Sequence, residues 1–316
     1  MSRYLMSRIG QAGLVLWATY TVVFAILHLL PSDPVGLLLA AGDVRVEDLS
    51  PAQLATLKAQ YGLDQPIYVQ YLSQLWHTLH LDLGSSISLN VPVRELLAQK
   101  LPSTLALGAA AIGLALVLGT TIAYLAAFVR WAPAKVLLSR LPAVGVSMPQ
   151  FFIGLVLIQV FAFSLGWFPA TGSEGWRSLV LPAITMSIIN AAMLAQVLTR
   201  GLEDTLAEPY ITTARAKGLS RTVIQFRHAF RNAALPALTL LGLLLGTTVT
   251  EAIVAETVFS RDGVGRLAQQ AVLAQDVPLV QAIVVIAATA FVLINLLIDL
   301  IYPLLDPRIV HAARVS

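Results

Sequence analysis

Three carboxylates, Glu251, Glu256 and Asp299, stand inside long apolar runs. Charge in hydrocarbon is costly, so each must face a bundle interior, a water-filled path or an interface. Glu256 and Asp299 lie toward the ends of their runs, where water reaches them. Glu251 lies deeper, and Thr247, one helical turn earlier, shares its face. Two readings stay open for Glu251: the polar lining of a path or a proton site, and a hydrogen-bonded packing contact. Asp299 fits the second. Gln159, Asn190, Gln196 and Asn295 are further polar side chains in the runs and, with Thr247 and Glu251, are candidates for a permissive path. His77 and His80 could present two imidazoles to a metal at i, i+3. No third ligand stands nearby, and a polar edge beside Trp76 is the simpler reading.

Spacings that carry catalysis are missing. No G-x-x-x-x-G-K-[ST] loop occurs: Lys58, Lys100, Lys135 and Lys217 are never preceded by Gly and followed by Ser or Thr. Nothing therefore cradles nucleotide phosphates. H-E-x-x-H and G-x-S-x-G are absent as well. With no cysteine, disulfides, thiolate metal sites and thiol nucleophiles are excluded. The residues support no active site.

One polar segment differs from its surroundings. EPYITTARAKGLSRTVIQFRHAFRNAALP, residues 208–236, carries Arg215, Lys217, Arg221, Arg227 and Arg231 and no acid after Glu208. Pro209 fits a first helical turn, and Gly218 fits a C′ position where φ is positive. Ser220 is placed to cap a second helix, in which Val223, Phe226 and Phe230 form an apolar stripe and the arginines lie off it. The pattern predicts a helix–Gly–helix hairpin with a cationic surface. A loop that only needs charge near anionic headgroups has no use for two capped helices and a placed glycine, which favours docking onto a partner.

The elements that hold these groups follow from composition. The chain has 316 residues, 57% hydrophobic and 12% charged, with mean hydropathy +0.79. Soluble domains carry about 25% charged residues. A membrane-spanning helix needs about 20 apolar residues, and six runs qualify: 9–30, 102–129, 141–165, 179–198, 235–258 and 280–304. The expected fold is an all-α polytopic bundle of six transmembrane helices. The first run follows Arg3 and Arg8 but exceeds the roughly 7–15 residues of a signal h-region, so an uncleaved span is expected. With the N-terminus in the cytoplasm, 13 of the 20 Lys/Arg residues fall on the inner side. Positive charge favours that side, so both termini are expected there. The net charge is only +3 and the basic residues flank spans, which argues against nucleic acid as a partner.

The expected organisation is a tail and first span (1–30), an outer helical segment (31–101), a five-helix core (102–304) with a cytoplasmic loop at 200–234, and a tail (305–316). In the outer segment Ser50, Pro51, Gln53 and Gly62 punctuate one helix. A second places Ile67, Tyr71, Leu75, Trp76 and Leu79 on one face, suited to an interfacial position. VRELLAQK forms a third short helix.

TTARAKGLS at 212–220 resembles the EAA loop of the membrane permease subunit of binding-protein-dependent ABC importers, with Gly218 at its hallmark glycine. Further stretches resemble the dipeptide/oligopeptide/nickel group: YGLDQPIYVQYL (61–72), LDLGSS (81–86), PVRELL (92–97), LPSTLALG (101–108), SMPQFF (147–152), RHAFRNAALP (227–236), ETVFSRDGVGRL (256–267) and LLDPRI (304–309). They follow in order over nearly the whole chain. The general family's Glu-Ala-Ala reads Thr212-Thr213-Ala214 here, and its later Leu-Pro positions hold Phe230 and Arg231, with a proline only at Pro236. Glu251 stands where this group usually has a small or apolar residue.

The resemblance implies a type I ABC importer permease in a bacterial inner membrane. Such a subunit forms the translocation path for short peptides or for nickel and other metal chelates. It implies no cofactor on this chain, because ATP and Mg2+ are held by partner subunits. The implied partners are a second homologous permease, two ATP-binding subunits and an extracytoplasmic substrate-binding protein. The implied coupling contact comprises Pro209, Tyr210, Thr212, Thr213, Ala214, Arg215, Lys217 and Gly218. The competing expectation is a proton-coupled secondary transporter using Glu251 and Asp299.

Overall fold

The computed structural model describes residues 2–29 and 65–305, with the side chains of 2–5, 7, 28, 29, 221, 235 and 299–305 outside that description. The punctuated helix between Ser50 and Gly62, the tail beyond 305 and the side chain of Asp299 therefore lie outside the described residues. Those described form helices, loops and a single bridge pair between Ser85 and Pro92. Five helices are long and apolar enough to cross a membrane: Arg8–Leu27 within α1 (Ser2–Leu29), α3 (Val93–Phe128), α6 (Arg177–Ala207), Pro236–Val258 within α8 (Phe230–Val258), and Val277–Ile298 within α10 (Val277–Leu305).

The expected third span at 141–165 is broken. α4 (Ala132–Ser147) meets α5 (Gln150–Leu157), which continues as a π-helix over Ile158–Ser164, at 103°; taken together they supply the sixth crossing. The cause is local. Met148 is extended, at ψ 131°, and the ring of the following Pro149 disfavours helical backbone at the residue before it.

α3 departs from expectation in the other direction. VRELLAQK is not a separate helix but the first turns of a 36-residue one, with Pro102 inside it. Proline removes one backbone bond. The turns before it are held by packing, because Val93, Leu96 and Leu97 are buried against Val264, Leu267, Leu279 and Ile283.

The chain divides into two compact units, one of residues 1–103 and 262–296, the other of 104–261 and 297–316. In the first, α2 (Ile67–Leu79) lies beside α1: the Tyr71 ring meets Tyr20 and Phe24 edge-on or tilted, and its hydroxyl is 2.8 Å from Thr21 Oγ1. The inward face of α2 is Tyr71, Gln74, Leu75 and Thr78, while Ile67, Trp76 and Leu79 are exposed. The expected face fails because an i, i+4 series drifts by about 40° per step, so residues 67 and 79 cannot share a side. α9 (Val264–Leu273), which the sequence reading did not anticipate, buries Val264, Leu267 and Ala271 in this unit's core.

In the second unit α6 is central. Small residues let the helices approach it. A Cβ on Gly119 of α3 would lie 2.9 Å from the Ala191 carbonyl, and one on Gly145 of α4 would lie 2.9 Å from the Ala192 Cβ. Between spans such close backbone contact replaces the hydrophobic drive that lipid does not supply.

Candidate functional site

The basic insert folds as a hairpin within the second unit. α7 (Pro209–Ala216) starts with Pro209 in its first turn and stops at Gly218, whose φ is +78°. Gly218 N–H donates to the Arg215 carbonyl at 3.0 Å and Leu219 N–H to that of Ala214 at 3.2 Å. This pair of bonds is the Schellman stop that a left-handed C′ residue makes. Ser220 Oγ accepts from Val223 N–H at 3.4 Å, starting a helical stretch that runs unbroken from Arg221 to Val258.

Ile224–Ala229 of that stretch is π-helical. The wider turn rotates the face that points inward. Ile224, Gln225, Ala229 and Ala233 are buried, whereas Val223 and Phe226 are exposed, so the expected Val223–Phe226–Phe230 stripe is not the packed face. Phe226 instead stacks on Tyr124, whose hydroxyl donates to Gln225 Oε1 at 2.9 Å.

Two contacts hold the hairpin closed. Ile211 and Ala214 pack on Ile224 and Leu206, and Asn232 Nδ2 donates to the Tyr210 hydroxyl at 2.7 Å. Pro209, Tyr210, Thr212, Thr213, Arg215, Lys217 and Gly218 are exposed. Ala214 is buried inside the hairpin, because it lies three residues from Ile211 on the same helical face. Beside α7 lies a cleft of about 390 Å³, lined by Phe128, Leu206, Leu219 and Ile224 with Arg130 and Arg215.

The second group of polar residues gathers around Glu251. Its carboxylate accepts from Asn190 Nδ2 at 2.8 Å and from Thr247 Oγ1 at 3.1 Å, while Gln150 Nε2 donates to its backbone carbonyl at 3.0 Å. Gln150 is the first residue after the 103° bend, so the broken span delivers it there. Gln159 and Gln196 are not members of this cluster. Gln159 is exposed, and Gln196 lines a separate 200 Å³ cleft with Met193, Arg200 and Leu240. Asn295, in the other unit, donates to the Phe291 carbonyl of its own helix. His77 pairs with Asp82 at 3.0 Å and His80 turns to the Trp76 carbonyl, so the two imidazoles do not converge.

Two buried carboxylates have structural partners that sequence reasoning missed, and one of them, Glu256, was expected within reach of water. Asp276, fully buried, accepts from Ser86 Oγ (2.5 Å), Ser88 Oγ (2.7 Å), Ser88 N–H (2.9 Å) and Leu279 N–H (3.2 Å). It caps α10 and pins the loop that follows LDLG. An acid two residues before Pro278 was the available signal. Glu256, also fully buried, accepts from Thr104 Oγ1 at 2.6 Å.

Residues 95–311 match the family model of the binding-protein-dependent transport system inner membrane component, and residues 1–108 match the model of its N-terminal region. A Brucella abortus protein named as a peptide transport system permease is 35% identical over 319 residues, covering 98% of this chain and 99% of that protein. The glutathione transport system permease protein GsiC of Salmonella typhimurium is 35% identical over 310 residues, with the same coverage. The fold is shared with the MetNI methionine ABC transporter in an inward-facing conformation, at TM-score 0.58 and 17% identity, covering 68% of this chain and 98% of that one. An amino acid ABC transporter follows at TM-score 0.51 and 19% identity, with 68% and 94% covered.

These matches overturn the proton-coupled alternative, since the family works with separate ATP-binding and substrate-binding partners. The absence of a P-loop has the same explanation: ATPase activity resides in other subunits. The chain belongs to the binding-protein-dependent transport system inner membrane component family and is a multi-pass permease subunit of an ABC importer.

Proposed function

We propose that this permease forms the translocation path for short peptides and that 209–218 is the contact through which its ATP-binding subunits drive it. The observation that carries the coupling role is the exposed, internally braced α7, with Arg215 and Lys217 exposed on a clamped hairpin. Relatives named for peptide and glutathione transport support the substrate class. ATP and Mg2+ sit on two partner ATP-binding subunits, a second homologous permease completes the path, and an extracytoplasmic binding protein delivers the solute. Both termini and the hairpin face the cytoplasm. Thr212 and Thr213 meet the ATPase in place of the family's Glu-Ala, so that contact uses hydroxyls instead of a carboxylate. Closure of the ATPase pair moves the hairpin as a body, and the spans rock between inward- and outward-facing states. Thr247 and Glu251 line the path, with the buried Asn190 behind them.

The test is ATP-dependent uptake of labelled di- and tripeptides by the full importer in proteoliposomes, with Arg215→Glu/Lys217→Glu beside the wild type. Uptake by the wild type, and its loss in an importer that still assembles, is the expected result. Unchanged coupling in the charge-reversed protein would refute the role given to α7.

A further inference from the structure

We propose that Glu251 is a station for an ammonium group of the passing solute; this rests on the peptide-path reading above. The cluster holds more acceptors than the protein supplies donors. A carboxylate offers about four lone-pair sites, and its oxygens take one bond from Asn190 Nδ2 and at most one from Thr247 Oγ1, whose single proton is shared with the Leu244 carbonyl at 3.1 Å. Both donors are neutral, and among the described residues no Lys, Arg or His is paired with it. Asn190 is wholly buried, and its Oδ1 accepts from nothing. The amide cannot turn over to relieve this, because its oxygen would then face the carboxylate.

A packing role leaves the charge unexplained. A glutamine at 251 would accept from Asn190 Nδ2 and donate to Thr247 Oγ1, whose proton then goes to the Leu244 carbonyl, without the desolvation that an ion suffers within a span. What an acidic residue adds is attraction for a cation, and the described residues provide none. An alkylammonium is compact, carries three N–H donors and no acceptor, and supplies what this cluster lacks. It also distinguishes peptides with a free amine from anionic solutes.

The position fits transit. Glu251 lies seven residues before Val258, about 10 Å from that end of the helix at 1.5 Å per residue. Its side chain is partly exposed while Asn190 behind it is not, so an approach from one side is open. Gln150 ties the helix break to the same residue, and breaks in transporter spans are tolerated where the chain is buried or lines a cavity. A single carboxylate held by neutral donors binds weakly enough for the solute to leave, as passage requires.

The experiment uses the complete importer in proteoliposomes. Dicyclohexylcarbodiimide, which modifies carboxyls in apolar surroundings, is applied with and without methylammonium or trialanine. Adduct at Glu251 is read by mass spectrometry, with sodium chloride as the ionic control. Methylammonium and trialanine are expected to protect Glu251, sodium and N-acetyl-trialanine not to. Trialanine uptake at saturating binding protein should fall about tenfold in Glu251→Gln, as expected for loss of a charge-assisted bond, and be largely kept in Glu251→Asp. Co-purification of all subunits checks that each variant assembles. Labelling that neither ammonium compound alters would overturn the proposal, and so would wild-type trialanine uptake by Glu251→Gln. Protection by methylammonium in an importer that takes up no peptide would leave the cation station standing and refute the peptide reading instead.

Discussion

At the scale of single residues, the same stop is built four times among the described residues, and one copy of the four carries glycine. Leu81, Gly218, Ser260 and Gln275 all have positive φ, and each follows a helix closed by the paired bonds of a Schellman turn. At Gly218 the missing Cβ makes φ +78° inexpensive, whereas a β-branched residue there is strained by at least about 1–2 kcal/mol. Gly218→Val is therefore expected to uncouple ATP hydrolysis from uptake and Gly218→Asn to retain most coupling, measured as transport per ATP in proteoliposomes. No neighbour lies within 4 Å of a Cβ at Gly218, so the effect is conformational, not steric. The exposed Gln275 gives the converse: Gln275→Gly should raise stability by about 0.5–1 kcal/mol, relief of strain exceeding the added chain entropy. A higher thermal midpoint of the detergent-solubilised protein would register it. Asp276→Ala should cost roughly 2–4 kcal/mol, since it strips an N-cap and leaves two serine hydroxyls and two amides without their acceptor. The same unfolding assay reads that loss.

At the scale of elements, lengths came from packing and breaks from local chemistry. α3 runs through Pro102 because its first turns are buried in a core contributed by α9 and α10, so a proline that reads as a helix start lies inside one. The third span breaks at Met148-Pro149 although its hydropathy is continuous, because a backbone restriction outweighs apolar length. Contacts around α6 depend on side-chain size. Gly119→Leu places a Cβ 2.9 Å from the Ala191 carbonyl and 3.1 Å from Leu194, and should destabilise the protein by about 1–3 kcal/mol, with Gly119→Ala milder. Reduced yield and a lower midpoint for the leucine variant alone would show that this contact is set by volume.

At the scale of the whole molecule, the positive-inside bias leads us to expect the hairpin and the 165–177 loop on opposite sides of the membrane. The chain has no cysteine, so single-cysteine variants test this directly. Thr212→Cys and Glu174→Cys, both exposed, should react with an impermeant maleimide only in inverted vesicles and only in right-side-out ones, respectively. The reverse pattern would invert the topology and remove the hairpin from the ATPase. Much of this protein was legible before folding: the spans from apolar length and the hairpin from Pro209, Gly218 and Ser220. These are local signals, written in neighbouring residues and in the bilayer's thickness. Only the tertiary structure decided which residues meet: Asn190 with Glu251 from 61 positions away, Ser86 with Asp276 from 190, Tyr210 with Asn232 across the hairpin. It also buried Ala214 and turned Phe226 outward, because a π-turn shifts the inward face without leaving a mark in the 3.6-residue pattern. Side-chain partners are set by how helices pack, and periodicity along one helix carries no record of the other.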